Sequence, residues 1–429
     1  MTSKLTRMAV PALFLFIVAF AFVGCSGSPA GAPAVQTGQA AATTGGSSKW
    51  TLTVEPLPPP TGAGSTSPKL TVGDGRTILS WLELTESGAT LTFAERTSSG
   101  WSEPRVVRSG SDLVVNDADV PSVRPLSGGT LVAHWLQEDG PDPEAYTLPL
   151  SWSRDGGRTW SQPTYPHHDK TQTQHGFASL FQAPGAGLGL VWLDGRGTSA
   201  TRPDAPEGSM ALWAAVYGLD GRQTGEKAID SRVCECCQTS VTTTSEGVIV
   251  AYRDRSADEV RDIYVTRFDG NQWSAPAAVH ADGWQINGCP VNGPAVDARG
   301  RDVAVAWYTA KNDEGQVLAV FSYDGGRTFG QPIRVDDRAS LGRVGIALLA
   351  DGSAVVSFVE SGNPSQFRAR RIEQHGTRSP AVTVANVSGM QHPQLAQGRD
   401  ELVFAWTEAG KNGPPVVRTA RASLGAVSR

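Results

Sequence analysis

The sequence predicts an all-β protein, a β-propeller built from four-stranded blades. The first observation is an apolar strand that ends in an aromatic residue and recurs seven times along the chain. Successive aromatics lie 48 to 60 positions apart, a period that suits one four-stranded blade. The second observation is the composition, because 48 glycines, 28 prolines and 12 tryptophans indicate short strands joined by tight turns. The aromatics are Trp81, Trp135, Trp192, Tyr252, Trp307, Phe358 and Trp406.

Each period predicts one blade, with a first strand such as residues 293–297 and a third strand such as residues 262–268. The aromatic is expected to pack between adjacent blades, where a flat side chain buries much apolar area. The last period, residues 394–420, lacks a clear fourth strand, whereas residues 50–55 form a strand without a blade. We therefore expect the N-terminal strand to close the ring as part of the final blade, which removes exposed sheet edges.

The first 25 residues predict an export signal. Lys4 and Arg7 precede an apolar run that is too short to cross a membrane comfortably. The run ends in Phe22-Val23-Gly24-Cys25, which resembles a bacterial lipoprotein processing site and implies lipidation of Cys25. The alternative is an ordinary secretory signal in which Cys25 is incidental. Ser26 after the cysteine resembles lipoproteins that are sent to the outer membrane, so the expected location is the cell envelope, with the lipid bilayer as a partner.

Residues 26–48 are almost wholly small or polar, and predict a flexible tether between residues 1–25 and a propeller domain at 49–429. The formal charge of −5 provides no basic surface, so nucleic acid is not an expected partner. The sequence also contains no dinucleotide fingerprint, P-loop or H-E-x-x-H motif.

Two segments match the Asp-box pattern S-x-D-x-G-x-T-W/F, at residues 153–160 and 322–329. Their Asp and Gly residues predict hairpin turns. On these segments the chain resembles the sialidase (neuraminidase) superfamily. The resemblance implies that Asp155 and Asp324 are structural and lie away from the active mouth. Sialidases usually have six blades, which is the alternative to the seven counted here.

A retaining sialidase, as the resemblance implies, uses three arginines, a late tyrosine nucleophile paired with a glutamate, and an aspartate. The last tyrosine here is Tyr323, which lies inside an Asp box, and Val123-Arg124-Pro125 only faintly matches the family's early Arg-Ile-Pro segment. These departures argue against sialidase chemistry, because a propeller can keep its scaffold while its site changes. Catalytic residues are therefore not assigned.

Four further cysteines lie close together in the chain, in a C-x-C-C segment and before a proline. One hypothesis is two disulfides, for example Cys237 with Cys234 and one of the three with Cys289, since an exported protein meets an oxidising compartment. The other is a soft-metal site for Cu(I) or Zn(II), which clustered thiolates can hold. Histidines near a neighbouring blade, His175 and the pair His167-His168, could complete that site. The cysteines are Cys234, Cys236, Cys237 and Cys289.

A run of alternating charge follows the strand that ends at Tyr252. One interpretation is a solvated, salt-bridged loop. The other is that guanidinium forks bind an anionic ligand while carboxylates orient them. The candidate ligand-binding residues are Arg196, Arg253, Asp254, Arg255 and Arg261.

The leading functional hypothesis is a binding or accessory propeller at the cell envelope that engages an anionic glycan, a protein partner or a soft metal. The alternatives are an exo-sialidase or related glycoside hydrolase, and a structural scaffold of an envelope complex.

Overall fold

The computed structural model describes residues 50–185, 187–198, 208–388, 391–410 and 413–424. These residues form seven antiparallel blades in chain order, which confirms the predicted all-β propeller and makes the six-blade alternative wrong. The export signal, Cys25 and the tether lie outside the described residues. Among the described residues, no helix has the length and apolar character needed to cross a bilayer.

Most blades consist of four strands that follow one another along the chain, with the first strand innermost. The strands of blades 1 to 3 are Ser65–Gly73, Arg76–Thr85, Gly88–Thr97, Gly100–Trp101 and Arg105–Gly110; Ser122–Pro125, Leu131–His134 and Leu150–Ser153; and His175–Gln182, Leu188–Asp194, Met210–Tyr217 and Gln223–Val233. Blade 2 completes its outer edge with a single bridge from Leu150 to Thr164, and carries a short ribbon of Gln137–Glu138 and Tyr146–Thr147.

The remaining blades repeat the same order. The strands of blades 4 to 6 are Ser240–Thr244, Gly247–Arg253, Ile263–Phe268 and Ala277–Ala278; Ala295–Arg299, Asp302–Thr309, Gln316–Ser322 and Ile333–Arg334; and Ser340–Leu348, Ala354–Glu360, Ser365–Ile372 and Val382–Val387. Blade 7 contains Gln394–Gln397, Glu401–Glu408 and Val416–Ser423. The described helices are single 3-10 turns at Ser127–Gly129, Arg196–Thr198 and Lys311–Asp313.

The recurring aromatics pack against the preceding blade, as the sequence predicts. Trp192 of blade 3 lies in one apolar cluster with Val132 and Leu148 of the blade 2 region, and Trp307 packs with Ile249 of blade 4. The second strand of a blade is covered on both faces, so Leu188–Asp194 is buried along its whole length. Burying one large apolar side chain contributes about 1.5–3 kcal/mol, so the repeated inter-blade contacts hold the ring together.

The ring closes through the N-terminal strand, as predicted. Glu55–Pro56 pairs antiparallel with Val416–Ser423, and the Leu57 amide donates a hydrogen bond of 3.1 Å to the Thr419 carbonyl. The regular strand is shorter than residues 50–55 and begins later. Before it, Leu52 is buried in the apolar cluster that also contains Phe404. Blade 7 is therefore made of both ends of the described chain.

Both S-x-D-x-G-x-T segments form tight turns after the third strand of a blade. Asp155 accepts hydrogen bonds from the Arg158 and Thr159 amides at 3.0 Å, and from the Ser153 and Thr159 hydroxyls. Asp324 repeats this pattern at its own turn. These bonds, led by the one from the Thr159 amide, hold the pKa of Asp155 well below its usual range. The geometry is that of a turn rather than of a reactive carboxylate.

Candidate functional site

The seven inner strands enclose a central channel of about 760 Å³. Its mouth is the end at which the inner strands begin, and its far end reaches the exposed residues Asp74 and Arg399. Five cationic residues and two carboxylates line it, although the whole protein carries a formal charge of −5. The channel is thus a local region of positive charge. These residues are Lys69, Arg124, Arg299, Arg343, Arg399, Asp74 and Asp297.

Lys69, Arg124 and Arg343 form a group that we call the channel cations. They come from blades 1, 2 and 6, and in the described part of the chain none of them forms an ion pair. Lys69 and Arg124 make no side-chain hydrogen bond there, and Arg343 donates one to the Val291 carbonyl. The buried Nε atoms of Arg124 and Arg343 have no hydrogen-bond acceptor. The three side chains are half-buried, and removing an unpaired cation from water is costly, so this part of the channel favours an anion.

The pKa values of side chains in the channel also indicate excess positive charge. Burial lowers the pKa of Lys69, and it lowers the pKa of Arg124 to about 10. His392 lies beside the group, and burial together with the charges of Arg343 and Lys69 lowers its pKa to about 4. These shifts are in the direction that disfavours positive charge, although Asp119 acts in the opposite direction on Lys69.

Backbone geometry at the mouth helps to place Arg343. The inner strand of blade 6 has an irregular register between Gly342 and Gly345, and Arg343 adopts a φ of +56° in the left-handed region. Ser67 and Phe177 adopt the same conformation at the corresponding bulges of blades 1 and 3. Non-glycine residues seldom adopt it, and such bulges often re-aim a side chain beside a site.

Residues 116–119, which we call the mouth segment, cross the channel mouth. The Ser67 hydroxyl donates to the Asn116 carbonyl at 3.2 Å, and the Gln238 amide nitrogen donates to the Ala118 carbonyl at 2.9 Å. His392 contacts the Asp117 carbonyl at 3.1 Å. The segment therefore contacts blades 1, 4 and 7, and covers the channel above the cations.

The mouth segment ends at a buried acid, Asp119. The Tyr146 hydroxyl donates to Asp119 Oδ2 at 3.1 Å, and the Gln174 amide donates in turn to that hydroxyl at 2.5 Å. Burial raises the pKa of Asp119 to about 7, although the hydrogen bonds and the nearby Lys69 act in the opposite direction.

The four clustered cysteines lie at the starts of blades 4 and 5. Cys236 and Cys289 form a disulfide that joins the two strand entrances. Cys234 and Cys237 are buried thiols whose Sγ atoms lie 2.6 Å apart. Two thiolates on one tetrahedral zinc would lie about 3.8 Å apart, given Zn–S bonds near 2.3 Å. The pair is therefore closer to a bonded arrangement than to a shared metal, while the metal hypothesis stays a prediction.

In the charge-rich loop after Tyr252, the arginine side chains bind other groups of the same chain. The Arg253 guanidinium is buried and donates to the carbonyls of Asn292 and Tyr308 at 2.9 and 2.7 Å, and to the Arg261 carbonyl at 2.5 Å. Arg261 pairs with Glu235 at 2.9 Å, and Arg255 pairs with Glu259 at 2.7 Å.

Asp254, in the same loop, is partly buried, and burial raises its pKa to about 7. The structure thus brings four of the five candidate ligand residues together, but the arginine forks are already occupied.

Arg196, the fifth candidate, lies in a different network. It pairs with Asp194 at 2.8 Å and with Glu226 at 2.7 Å, and its guanidinium stacks 3.6 Å from the centre of the Trp213 ring. These contacts hold it inside blade 3. A ligand role for all five residues stays a prediction, and the geometry favours the channel cations instead.

The channel cations were not among the residues predicted from the sequence. A local signal indicates the inner strands of four blades, because Pro68, Pro121, Pro294 and Pro393 each precede their blade aromatic by 13 or 14 positions. These prolines lie at or near the starts of the inner strands, and Lys69 follows the first of them directly, whereas Arg343 has no such proline before it. The lack of counter-charges has no such signal, since it depends on side chains from other blades.

No protein-family model matches the chain, and no curated protein matches it in sequence. Among solved structures, the BP39L lectin of Burkholderia pseudomallei matches with a TM-score of 0.61 and 12% identity, over 84% of this chain and 97% of the lectin. The polysaccharide lyase Uly1 matches with a TM-score of 0.52 and 10% identity, over 84% and 90%. The endosialidase of phage phi92 matches with a TM-score of 0.48 and 9% identity, over 88% and 70%, which is too weak to argue from. At these identities the likeness shows the propeller fold alone.

Proposed function

We propose that this protein is a binding propeller whose central channel holds an anionic group of a glycan. The observation that carries the proposal is the group of channel cations, Lys69, Arg124 and Arg343, which converge from three blades without carboxylate partners in the described chain. A carboxylate or sulfate group would supply the acceptors that these donors lack. Each charge-assisted hydrogen bond gained in this way contributes about 1.5–3 kcal/mol.

A ligand has a route to these residues. The mouth segment covers the channel at one end, but the far end opens beside the exposed residues Asp74 and Arg399. Entry from that end requires no movement of the mouth segment. The similar fold of a lectin and of a polysaccharide lyase supports glycans as the ligand class, since both proteins act on carbohydrate. The proposal of an anionic ligand depends on the charge of the channel and not on that likeness.

The test is binding of the purified protein to matched neutral, carboxylated and sulfated oligosaccharides. We expect the acidic members to bind, and binding to fall as salt is raised. Lys69→Met and Arg124→Met should each weaken binding about 10- to 100-fold, because each removes one charged donor. The control is Lys227→Met, an exposed lysine on the outer strand of blade 3. Equal binding of neutral and acidic sugars, or equal loss in the control, would overturn the proposal.

A sialidase-type hydrolase is the alternative, and the channel supports it less well. Among the described residues that line the channel there is no tyrosine and no glutamate, so the nucleophile pair of that chemistry is not found there. Asp297 is the half-buried acid of the channel, and desolvation raises its pKa to about 6. Turnover of a fluorogenic sialoside by the purified protein, abolished in Arg124→Met, would establish the alternative.

We also propose that the propeller is held at the cell envelope by acylated Cys25, with residues 26–48 as the tether. The support for this is the sequence alone, in the processing site that ends at Cys25. Cys25→Ser should move the protein from the membrane fraction to the soluble exported fraction. An unchanged distribution would contradict acylation and favour an ordinary secretory signal. It would also remove the lipid anchor on which a scaffold role in an envelope complex depends.

A further inference from the structure

A buried group of histidine and carboxylate side chains lies where the chain passes from blade 2 to blade 3. It contains His167, Asp169 and His175, and their ligating atoms all lie within 4.8 Å of one another. The side chains of Asp169 and His175 have no exposed surface, and that of His167 is 7% exposed. The two imidazole rings stack with centres 3.7 Å apart and planes only 6° apart. The group is separate from the cysteines and from the channel cations.

The contacts around the histidines bring one nitrogen atom of each ring close to the same carboxylate oxygen. His175 Nδ1 lies 3.0 Å from the Thr173 carbonyl, which can only accept, so Nδ1 carries the hydrogen. His175 Nε2 then faces inward, 3.3 Å from Asp169 Oδ1, yet it is buried and makes no aligned hydrogen bond. A histidine fixed through one nitrogen by a carbonyl, with its other nitrogen left without a partner, is available as a metal ligand.

His167 is held through both of its ring nitrogens, and either nitrogen can carry the hydrogen because a hydroxyl both donates and accepts. Its Nε2 lies 2.6 Å from the Thr147 hydroxyl, which can accept the ring hydrogen, and its Nδ1 lies 3.0 Å from Asp169 Oδ1. Two ring nitrogens therefore converge on a single carboxylate oxygen. A proton or a metal ion would offset the repulsion between the carboxylate and two unprotonated ring nitrogens at these distances. Because the two rings lie in parallel planes, one of them must rotate for both nitrogens to bind the same ion.

The surrounding charges match a dication. Asp169, Asp194 and Glu226 bring three negative charges to this network, and Arg196 brings one positive charge, which leaves a net charge of −2. Asp194 already accepts four hydrogen bonds of 2.8 to 2.9 Å, three from Arg196 and one from the Trp192 ring. It therefore contributes charge and holds Arg196. Asp169 accepts hydrogen bonds from Thr171 through Oδ2, which leaves Oδ1 on the side of the histidines as the ligand atom.

The distances suit a small metal ion. Zinc bonds to histidine nitrogen and carboxylate oxygen are near 2.0–2.1 Å, which places two ligands of a tetrahedron about 3.3–3.4 Å apart. The observed separations from Asp169 Oδ1 are 3.0 Å to His167 Nδ1 and 3.3 Å to His175 Nε2. The distances from Asp169 Oδ1 to the two nitrogens are thus close to those of a bound ion, and three protein ligands leave a fourth position for solvent.

We propose that His167 Nδ1, Asp169 Oδ1 and His175 Nε2 bind one divalent transition-metal ion, Zn²⁺ by preference. Imidazole and carboxylate ligands select this class over Ca²⁺ or Mg²⁺, which favour oxygen ligands. The ion would tie the connection between blades 2 and 3 to the first strand of blade 3. The proposal is independent of the binding function assigned to the channel.

The test is titration of the metal-stripped, oxidised protein with Zn²⁺ and with Co²⁺ in a Cys234→Ser/Cys237→Ser background, which removes the buried thiols as competing ligands. We expect one equivalent to bind, and Co²⁺ to give visible absorption without a thiolate charge-transfer band. His167→Ala and Asp169→Asn should each weaken binding by about 100-fold or more. Lys69→Met, which addresses the channel, should leave metal binding unchanged.

The matched control is His168→Ala. His168 is the exposed neighbour of His167, and it contacts Gln223 at 3.0 Å. Its loss should change the affinity less than about twofold. If circular dichroism shows that a variant is unfolded, His167→Gln, at the edge of the site, is tested in its place. Absence of a bound equivalent, or an equal loss of affinity in His168→Ala, would overturn the proposal and leave a buried ion-pair network with a protonated His175.

Discussion

At the scale of single residues, the structure separates charges that serve the fold from charges that lack partners. Arg253 was predicted to bind a ligand, but its three hydrogen bonds go to backbone carbonyls at the entrances of blades 4 and 5. Its guanidinium also lies 5.0 Å from the centre of the Trp284 ring. Arg124 makes none of these contacts, although it is also an arginine. Whether an arginine can bind a ligand therefore depends on whether the protein already occupies its hydrogen-bond donors.

Asp119 gives a prediction about pH. Its pKa is raised from 3.8 to about 7 by burial, so between these values the folded state holds a proton that the unfolded chain releases. The free energy of unfolding should therefore fall as pH rises from about 4 to 7, and level off above that. Asp119→Asn removes this dependence. Relative to the wild type, the variant should gain stability on the order of a few kcal/mol across this range.

Urea unfolding of both proteins at pH 4, 5, 6 and 7 measures the effect. Asp142→Asn, an exposed acid in the loop of blade 2, provides the control and should track the wild type. A difference between Asp119→Asn and the wild type that stays constant with pH would show that Asp119 titrates normally in the folded protein.

At the scale of structural elements, the starts of the inner strands concentrate everything of chemical interest. The mouth segment, the cysteines and the left-handed residues Ser67, Phe177 and Arg343 all lie there. The sequence showed the strands through their apolar pattern, and it showed the turns through Gly, Pro and Asp. It did not show the bulges, because a bulge shifts one strand against its neighbour and leaves the apolar alternation almost unchanged.

The cysteine pair at the start of blade 4 gives the second prediction. Burial opposes ionisation of Cys234, but a hydrogen bond with Cys237 and the nearby Arg253 outweigh it and bring its pKa to about 7. Its sulfur already lies 2.6 Å from that of Cys237. We expect the two to oxidise to a disulfide in the exported protein, since the thiolate is the reactive form and the geometry is close to bonded.

Alkylation of the unfolded, unreduced protein, followed by peptide mass spectrometry, measures the pairing. A Cys25→Ser background removes the remaining cysteine. No alkylated thiol is expected, and Cys237→Ser should leave one, at Cys234. Two labelled thiols at Cys234 and Cys237, released only after a chelator is added, would instead support the Cu or Zn hypothesis.

At the scale of the whole molecule, the propeller is closed by a strand that comes from the opposite end of the described chain. Glu55–Pro56 pairs with Val416–Ser423, and Leu52 fills the cluster between the last two blades. Closure removes the free edges of the ring and joins blade 7 to the N-terminus.

Deletion of residues 26–57 tests this closure against deletion of residues 26–48, which removes the tether alone. The longer deletion should lower Tm markedly, because it removes the outer strand of blade 7 and leaves an exposed edge. The shorter deletion should leave Tm within about 1–2 °C of the wild type, since it leaves every described residue of the ring in place. Equal melting temperatures by differential scanning calorimetry would mean that the N-terminal strand contributes nothing to the ring.

The sequence by itself determined the seven blades, their inter-blade aromatics such as Trp192, and the closing strand, because each is encoded in a repeated local pattern. The tertiary structure decided which charges are free. Arg253 finds its carbonyls at Asn292 and Tyr308, 39 and 55 positions away, whereas Arg124 finds no partner at all in the described chain. Side-chain pairing depends on which blades meet at the channel. The distances between side chains of different blades are set when the ring closes, and no local sequence pattern encodes them.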